Sequence, residues 1–193
     1  MQYDPGKRQQ LREKLGFQDA YIMGNVGRLH FQKNQEFLLK IFADTVNKIE
    51  NARLVLVGQG EDEEKLKNLA AELGIEKYIY WAGVQKDICQ WLSAFDLFVF
   101  PSLFEGAPIA ALEAQANGLP MLMSEQAVPE ACVLNGNCRR ISLEAPEEKW
   151  TDELLYMVEH GKREEAAVIR KNFENGGYDI HTEVKKIEKL LCY

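Results

Sequence analysis

PSLFEGAPIAALEAQANGLP, residues 101–120, directly follows the apolar run Leu97-Phe98-Val99-Phe100. The run reads as a buried strand. After it, Pro108 suits a first helical turn, where its missing N–H is not needed. Gly118 suits the C-terminal cap, and Pro120 stops any continuation. Small residues at 110, 111, 114 and 116 would let the intervening helix pack close to a sheet. Its first turn carries no acid, so its positive end is left open. A strand, a glycine loop and an open helix start make an anion site. Two carboxylates, Glu105 and Glu113, accompany that site in an E-x7-E spacing.

Outward from this segment, short β-like runs alternate with helical patterns. Strands are expected at Tyr21–Val26, Leu54–Val57, Tyr78–Trp81, Leu97–Phe100 and Met121–Met123, with a short sixth at Arg139–Ser142. Between them, helices are expected from Gln35 to about Ile49 with Asn34 as N-cap, from Glu61 to Leu73, and from Lys86 to Ala94. From Pro146 onward the pattern is helical, with breaks near Gly161 and Gly176-Gly177. This alternation predicts an α/β domain, doubly wound around a mostly parallel sheet, with a helical C-terminal tail. Ligands in such domains sit beyond the C-terminal ends of the strands. The candidate loops are therefore 27–34, 58–61, 83–86 and 101–108. Residues 17–193 read as one domain, and residues 1–16 as a linker remnant holding a short helix from Lys7 to Leu15.

Two of these loops offer themselves to phosphate. Gly58-x-Gly60 resembles part of a dinucleotide fingerprint, but Glu61, Asp62, Glu63 and Glu64 follow it. Acids in a first helical turn complement the helix dipole and would repel a pyrophosphate. A tight structural turn is expected here. The loop from Gly27 to Asn34 carries Arg28 and Lys33, which either sit solvated or grip phosphate oxygens. His30 reads as an exposed loop residue. Glu113 has no Lys or Arg three or four residues away, and an unpaired acid beside an apolar face calls for a partner. Taken together, Arg28, Lys33 and the open helix start can neutralise a diphosphate. Glu105 and Glu113 can accept hydrogen bonds from sugar hydroxyls on either side of it. That combination describes a nucleotide-diphosphate sugar.

Composition narrows the alternatives. The net charge of −7, with no basic block, argues against non-specific nucleic-acid binding. No run of about 18 apolar residues predicts a transmembrane span. The N-terminus lacks the apolar core of a signal peptide. Cys89, Cys132, Cys138 and Cys192 form no C-x2-C pair, so no zinc is expected and reduced thiols in the cytoplasm are the simplest reading.

Several spaced motifs resemble the family-four retaining glycosyltransferases of GT-B fold. They are VGRLHFQKN at 26–34, LVLVGQGEDEEKLKNLAAELGI at 54–75, WAGVQKDI at 81–88 and, strongest, FDLFVFPSLFEGAPIAALEAQANGLP at 95–120. The first of these, with GGYDIHTEVKKIEKL at the end, is similar to the branch that builds capsular and exopolysaccharides. The resemblance implies the C-terminal, donor-binding half of a two-domain enzyme, inactive without an N-terminal acceptor domain. By the same resemblance, Arg28 and Lys33, in the loop opened by Gly27, would hold the donor diphosphate. Glu105, with the backbone of Gly106, Ala107 and Ile109, would hold the sugar and phosphate, and Pro108 in that loop has no N–H to donate. Glu113 would bind the ribose, and the loop at Val84 would meet the base through main-chain groups. No D-x-D occurs, which suits a metal-independent reaction with no cofactor, the nucleotide sugar (UDP-linked in most of that branch) being a substrate. The acceptor would be a saccharide or a lipid-linked saccharide, the latter placing the complete enzyme at the inner membrane face. At 124–130 the chain departs from the family's Ser-Asp-x-Gly-Gly and reads Ser-Glu-Gln-Ala-Val-Pro-Glu. A stand-alone nucleotide-sugar-binding module and half of a nucleotide-sugar 2-epimerase are the other readings of the same residues.

Overall fold

The computed structural model describes residues 1–191. A first helix, α1 (Pro5–Leu15), is followed by β1 (Tyr21–Val26), α2 (Gln35–Thr45), β2 (Ala52–Val57), α3 (Glu63–Glu72) and β3 (Ile79–Gly83). Then come α4 (Ile88–Ala94), β4 (Leu97–Phe100), α5 (Ile109–Ala116), β5 (Met121–Ser124) and β6 (Cys138–Ile141). Three helices close the chain: α6 (Glu147–His160), α7 (Ala166–Asn175) and α8 (Ile180–Leu191). The strands form one sheet in the order β3-β2-β1-β4-β5-β6, with every neighbouring pair parallel.

Both faces of the sheet are covered, which is why the strands read as near-continuous apolar runs. Alternate residues point to opposite layers. Leu54, Leu97, Val99 and Leu122 pack with Leu38, Phe42, Leu66 and Trp150 of α2, α3 and α6. Val55, Phe98, Phe100 and Met121 pack with Trp91, Phe95, Ala111 and Ala114 on the other face. A side chain at Gly24 would lie 1.9 Å from the Phe95 ring, so β1 needs glycine there to let α4 approach.

The order reverses at the centre, where β1 pairs with β2 on one side and β4 on the other. Loops leaving β1 and β4 therefore diverge and open a crevice at their C-terminal ends. Those loops are 27–34 and 101–108.

Several boundaries move from the expected ones, each for a local reason. Helix α2 stops at Thr45 rather than near Ile49, because the Thr45 hydroxyl donates back to the carbonyls of Ile41 and Phe42 at 3.0 Å. Strand β3 begins at Ile79, since Glu76–Tyr78 form a 3-10 turn. Asp87 caps α4 by accepting from the Gln90 N–H at 3.2 Å, so that helix starts after Lys86. Pro108 stands at the N-cap of α5, one position before the helix. Asn34 does sit at the α2 N-cap, but in the left-handed region at φ 54°. Its side chain makes no cap bond and instead donates to the Pro101 carbonyl at 3.1 Å.

Within residues 1–16, helix α1 is bound to the domain. Arg8 donates to the carbonyls of Ser93, Ala94 and Phe95, and Arg12 to that of Ala94, all at the C-terminal end of α4. Arg163, stacked on the Tyr3 ring, reaches the same end and donates to Leu92, Ser93 and Phe95. Cations satisfy the orphan carbonyls where the helix dipole is negative. Asp96 accepts from Arg8 at 2.5 Å, from Arg12, and from the Ile22 N–H at 2.8 Å.

Of the cysteines, Cys89, Cys132 and Cys138 are free thiols, and Cys192 lies outside the described residues. Among the described residues no helix is long and apolar enough to cross a membrane.

Candidate functional site

The loops after β1 and β4 are tied together across the crevice. The Leu103 N–H donates to the Gln32 carbonyl at 2.8 Å, and Gln32 Nε2 to the Phe104 carbonyl at 2.8 Å. With the Asn34–Pro101 bond these tethers fix two segments about 70 residues apart in sequence. Between them, Lys33 Nζ lies 2.6 Å from Glu105 Oε1, both side chains largely buried. The Lys33 stem runs against Gly27, where an added Cβ would lie 3.2 Å from Lys33 Cε, and its ammonium stands 5.3 Å from the Phe100 ring centre. Gly27 thus makes room for the lysine.

Arg28 is held from the other side. Its Nε and Nη2 each lie 3.0 Å from Glu61 Oε2, while Glu61 Oε1 is 3.3 Å from His30 Nε2. The Arg28 carbonyl is itself fixed by Gln35 Nε2 at 3.1 Å. Glu61 does not belong to the first turn of α3, where only Glu63 and Glu64 lie. Its own backbone N–H, with Arg28 and His30, holds its carboxyl below the usual range. The Gly58-x-Gly60 turn explains how it gets there. A Cβ on Gly58 would lie 1.9 Å from the Gly27 carbonyl oxygen, and one on Gly60 2.1 Å from that of Leu29. The glycines let the β2 loop press against the β1 loop, backbone to backbone, which is a structural duty.

Gly27, Arg28 and Val84 line one open hollow of about 260 Å³ over the ends of β1, β2 and β3, together with Gly58, Gln59 and Ile88. A larger one, about 460 Å³, lies far from the strand ends beside α7, with Tyr3, Phe173 and Tyr178 on its wall. None of Arg28, Lys33, Glu105 or the start of α5 lines it, whereas Arg28 lines the strand-end hollow, which is the better candidate site.

Loop 101–108 supplies the rest. Helix α5 has no side-chain cap, and Gly106 and Ala107 are exposed, with their N–H groups unpartnered among the described residues. The Ile109 N–H, in contrast, donates to the Ala107 carbonyl at 2.8 Å, so it is not open to a ligand in this conformation. Pro108 is buried beneath the loop. Glu113 stands one turn along α5, half-buried, and nothing among the described residues pairs with its carboxylate. Burial pushes that carboxyl up, against a weaker pull from the Met1 amino group. At 124–130, where glycines were absent, Ala127 and Val128 are core residues and Ser124 Oγ donates to the Ser102 carbonyl at 2.5 Å.

The arrangement therefore gathers two cations, each already matched to an acid, an open helix start and one unmatched carboxylate. The acids facing the cations were not evident in sequence, since Arg28 meets Glu61 across 33 residues and Lys33 meets Glu105 across 72.

Comparison with known proteins bears on this geometry. The family model "Glycosyl transferases group 1" matches residues 7–175. A putative glycosyltransferase, EpsF of Bacillus subtilis (strain 168), is 32% identical over 172 residues, covering 86% of this chain and 43% of that protein. The UDP-Gal:alpha-D-GlcNAc-diphosphoundecaprenol alpha-1,3-galactosyltransferase of Escherichia coli is 37% identical over 132 residues, or 66% of this chain and 32% of that one. The chain spans less than half the length of these relatives. Among solved structures, Anabaena Alr3699/HepE in complex with UDP and glucose superposes with a TM-score of 0.81 at 21% identity, covering 98% of this chain and 53% of that one. The C-terminal domain of a glycosyl transferase group 1 family protein (LpcC) from Francisella tularensis gives 0.68 at 22% identity, covering 94% of both chains. These likenesses show the fold, a six-stranded parallel α/β sheet flanked by helices.

Proposed function

The chain belongs to the glycosyl transferases group 1 family, and on that premise we propose that it is the donor-binding, C-terminal half of a retaining glycosyltransferase. It binds a nucleotide-diphosphate sugar, a UDP-sugar in the first instance, for transfer to a saccharide or lipid-linked acceptor in polysaccharide synthesis. One observation carries the reading: Lys33 and Glu105 face each other at the switch point, beside Arg28 and an uncapped α5. The near-complete mutual overlap with a C-terminal domain of the same family supports the assignment of the half. The acceptor belongs to the portion of such enzymes that this chain does not match.

The roles follow from the chemistry. A diphosphate entering the crevice offers Lys33 and Arg28 more charge than a single carboxylate does. Gly106 and Ala107 donate their backbone N–H groups to it. Released from Lys33, Glu105 accepts from the sugar hydroxyls, and Glu113 accepts from the ribose. The hollow beside Val84 and Gln59 receives the base. As the bond from the anomeric carbon to the diphosphate breaks, charge grows on the leaving oxygen, and the fixed cations stabilise it without a metal.

The test is thermal stabilisation by UDP, GDP, ADP and their sugar conjugates. A ligand at a hundred times its dissociation constant adds about 2.7 kcal/mol. A selective shift with UDP is expected, and Glu113→Gln should weaken that binding by about 1.5–3 kcal/mol through loss of a charge-assisted bond. Unaltered affinity in this variant would remove the ribose role, and no shift with any nucleotide would sink the donor-half reading.

A further inference from the structure

Arg28 is exposed and sits at the mouth of the crevice, yet it is not free. Glu61 holds it through both Nε and Nη2, and the same carboxylate turns its other oxygen to His30. His30 Nδ1 accepts from the Gln32 N–H at 3.4 Å, which leaves the ring proton on Nε2, facing Glu61. Nor is the encounter a chance one between two long side chains. The Leu29 N–H donates to the Gln59 carbonyl at 3.1 Å, and the Asp62 N–H to that of Leu29 at 3.2 Å, so the backbones on either side of Glu61 are stitched to the β1 loop. A carboxylate mounted this way occupies the place beside Arg28 that an anionic ligand would want.

We propose that Glu61 is an internal counter-anion on the donor site, which an incoming diphosphate must displace from Arg28, so that it sets the affinity and the anion selectivity of the site. The inference rests on the reading of Arg28 as a diphosphate ligand. Displacement has a fixed cost, met more readily by a doubly or triply charged diphosphate than by a weaker anion such as chloride. Glu61 is a tuning residue: it touches Arg28 and His30, not the reacting atoms. An exposed ion pair of this kind changes an equilibrium by roughly 1.5- to 5-fold.

The experiment measures UDP and inorganic pyrophosphate binding by calorimetry, at low and at high sodium chloride, for the unaltered chain, Glu61→Gln, Arg28→Ala and the double variant. Glu64→Gln is the control, because Glu64 is exposed in the first turn of α3 and does not touch Arg28. The expected result is tighter UDP binding in Glu61→Gln by about two- to fivefold, little effect of Glu64→Gln, and a larger loss of affinity as chloride rises in Glu61→Gln than in the unaltered chain. In the Arg28→Ala background, Glu61→Gln should have no effect. Equal gains from Glu61→Gln and Glu64→Gln would reduce Glu61 to general charge and overturn the proposal. Weaker binding in Glu61→Gln would overturn it too, making Glu61 a support for Arg28. Should Arg28→Ala bind UDP as well as the unaltered chain does, the role of Arg28 falls, and the proposal falls with it. Loss of affinity in Arg28→Ala with none gained in Glu61→Gln refutes only the proposal.

Discussion

Glu113 is the residue whose free state is least comfortable. Its carboxyl is pushed up by burial and meets no partner among the described residues. A raised folded value means that the neutral form is favoured in the fold. The stability this contributes is fully present below the ordinary value of 4.5 and is lost as pH rises through the folded one. Glutamine is neutral throughout. Denaturation of ligand-free Glu113→Gln and the unaltered chain at pH 4 and pH 7 should therefore show the variant gaining relative to glutamate at the higher pH, by a fraction of a kcal/mol after solvent screening. An opposite trend would mean that the pull of the Met1 amino group outweighs burial. At this scale the sequence reading named Arg28, Lys33, Glu105 and Glu113 by residue type and by position beside the strand ends. It assigned Glu61 to the helix dipole because pairing through space leaves no trace in local spacing.

Helix α5 is the element on which the site depends. Ala111 and Ala114 bring it close to the sheet, and Gly118, at φ 74°, turns the chain just past its end. A Cβ on Gly118 would lie 2.7 Å from the Glu164 carbonyl oxygen and 2.9 Å from Ile169 Cδ1, whereas one on Gly74, at φ 70°, would meet nothing within 4 Å. Gly118→Ala adds a clash to the left-handed strain and should cost about 2–3 kcal/mol, against about 1 for Gly74→Ala. In a domain of this size that is roughly a 4–12 °C fall in melting temperature for the first. Equal falls would show that Glu164 and Ile169 yield freely. Strand β1 and the cores of the helices were legible as period and punctuation. Their ends were less so, because Thr45 back-bonding, the Asp87 cap and the 3-10 turn at Glu76–Tyr78 are choices between near-equal local conformations.

Across the whole molecule, the clasp on α4 joins the first helix, the central strands and the C-terminal helices. Arg163, buried enough to be pushed down to about 10, remains charged at neutral pH and shares the carbonyls of Ser93 and Phe95 with Arg8 of α1. Asp96 is the anion among these arginines, and only 8% of the Arg12 side chain is exposed. Asp96→Ala strands a buried guanidinium and should destabilise by about 3–5 kcal/mol in chemical denaturation. A loss below about 1 kcal/mol, the range of exposed pairs, would mean that the carbonyls alone suffice for the arginines. Parallel winding was readable from the alternation of patterns, but strand order was not. Which strands become neighbours depends on how both sheet faces are covered, by residues distant in sequence such as Phe42 and Trp150 on one face and Trp91 and Phe95 on the other.

The bonds that tie the β1 loop to the β4 loop have a consequence in time. Lys33 and Glu105 are 72 residues apart, so no local hairpin or helix of the chain can bring them together. Contacts of such separation are rewarded only after the intervening loop has been closed. The joined loops should therefore form late in folding, and the appearance of the Lys33–Glu105 pair during refolding would date the moment at which the central strands acquire their neighbours.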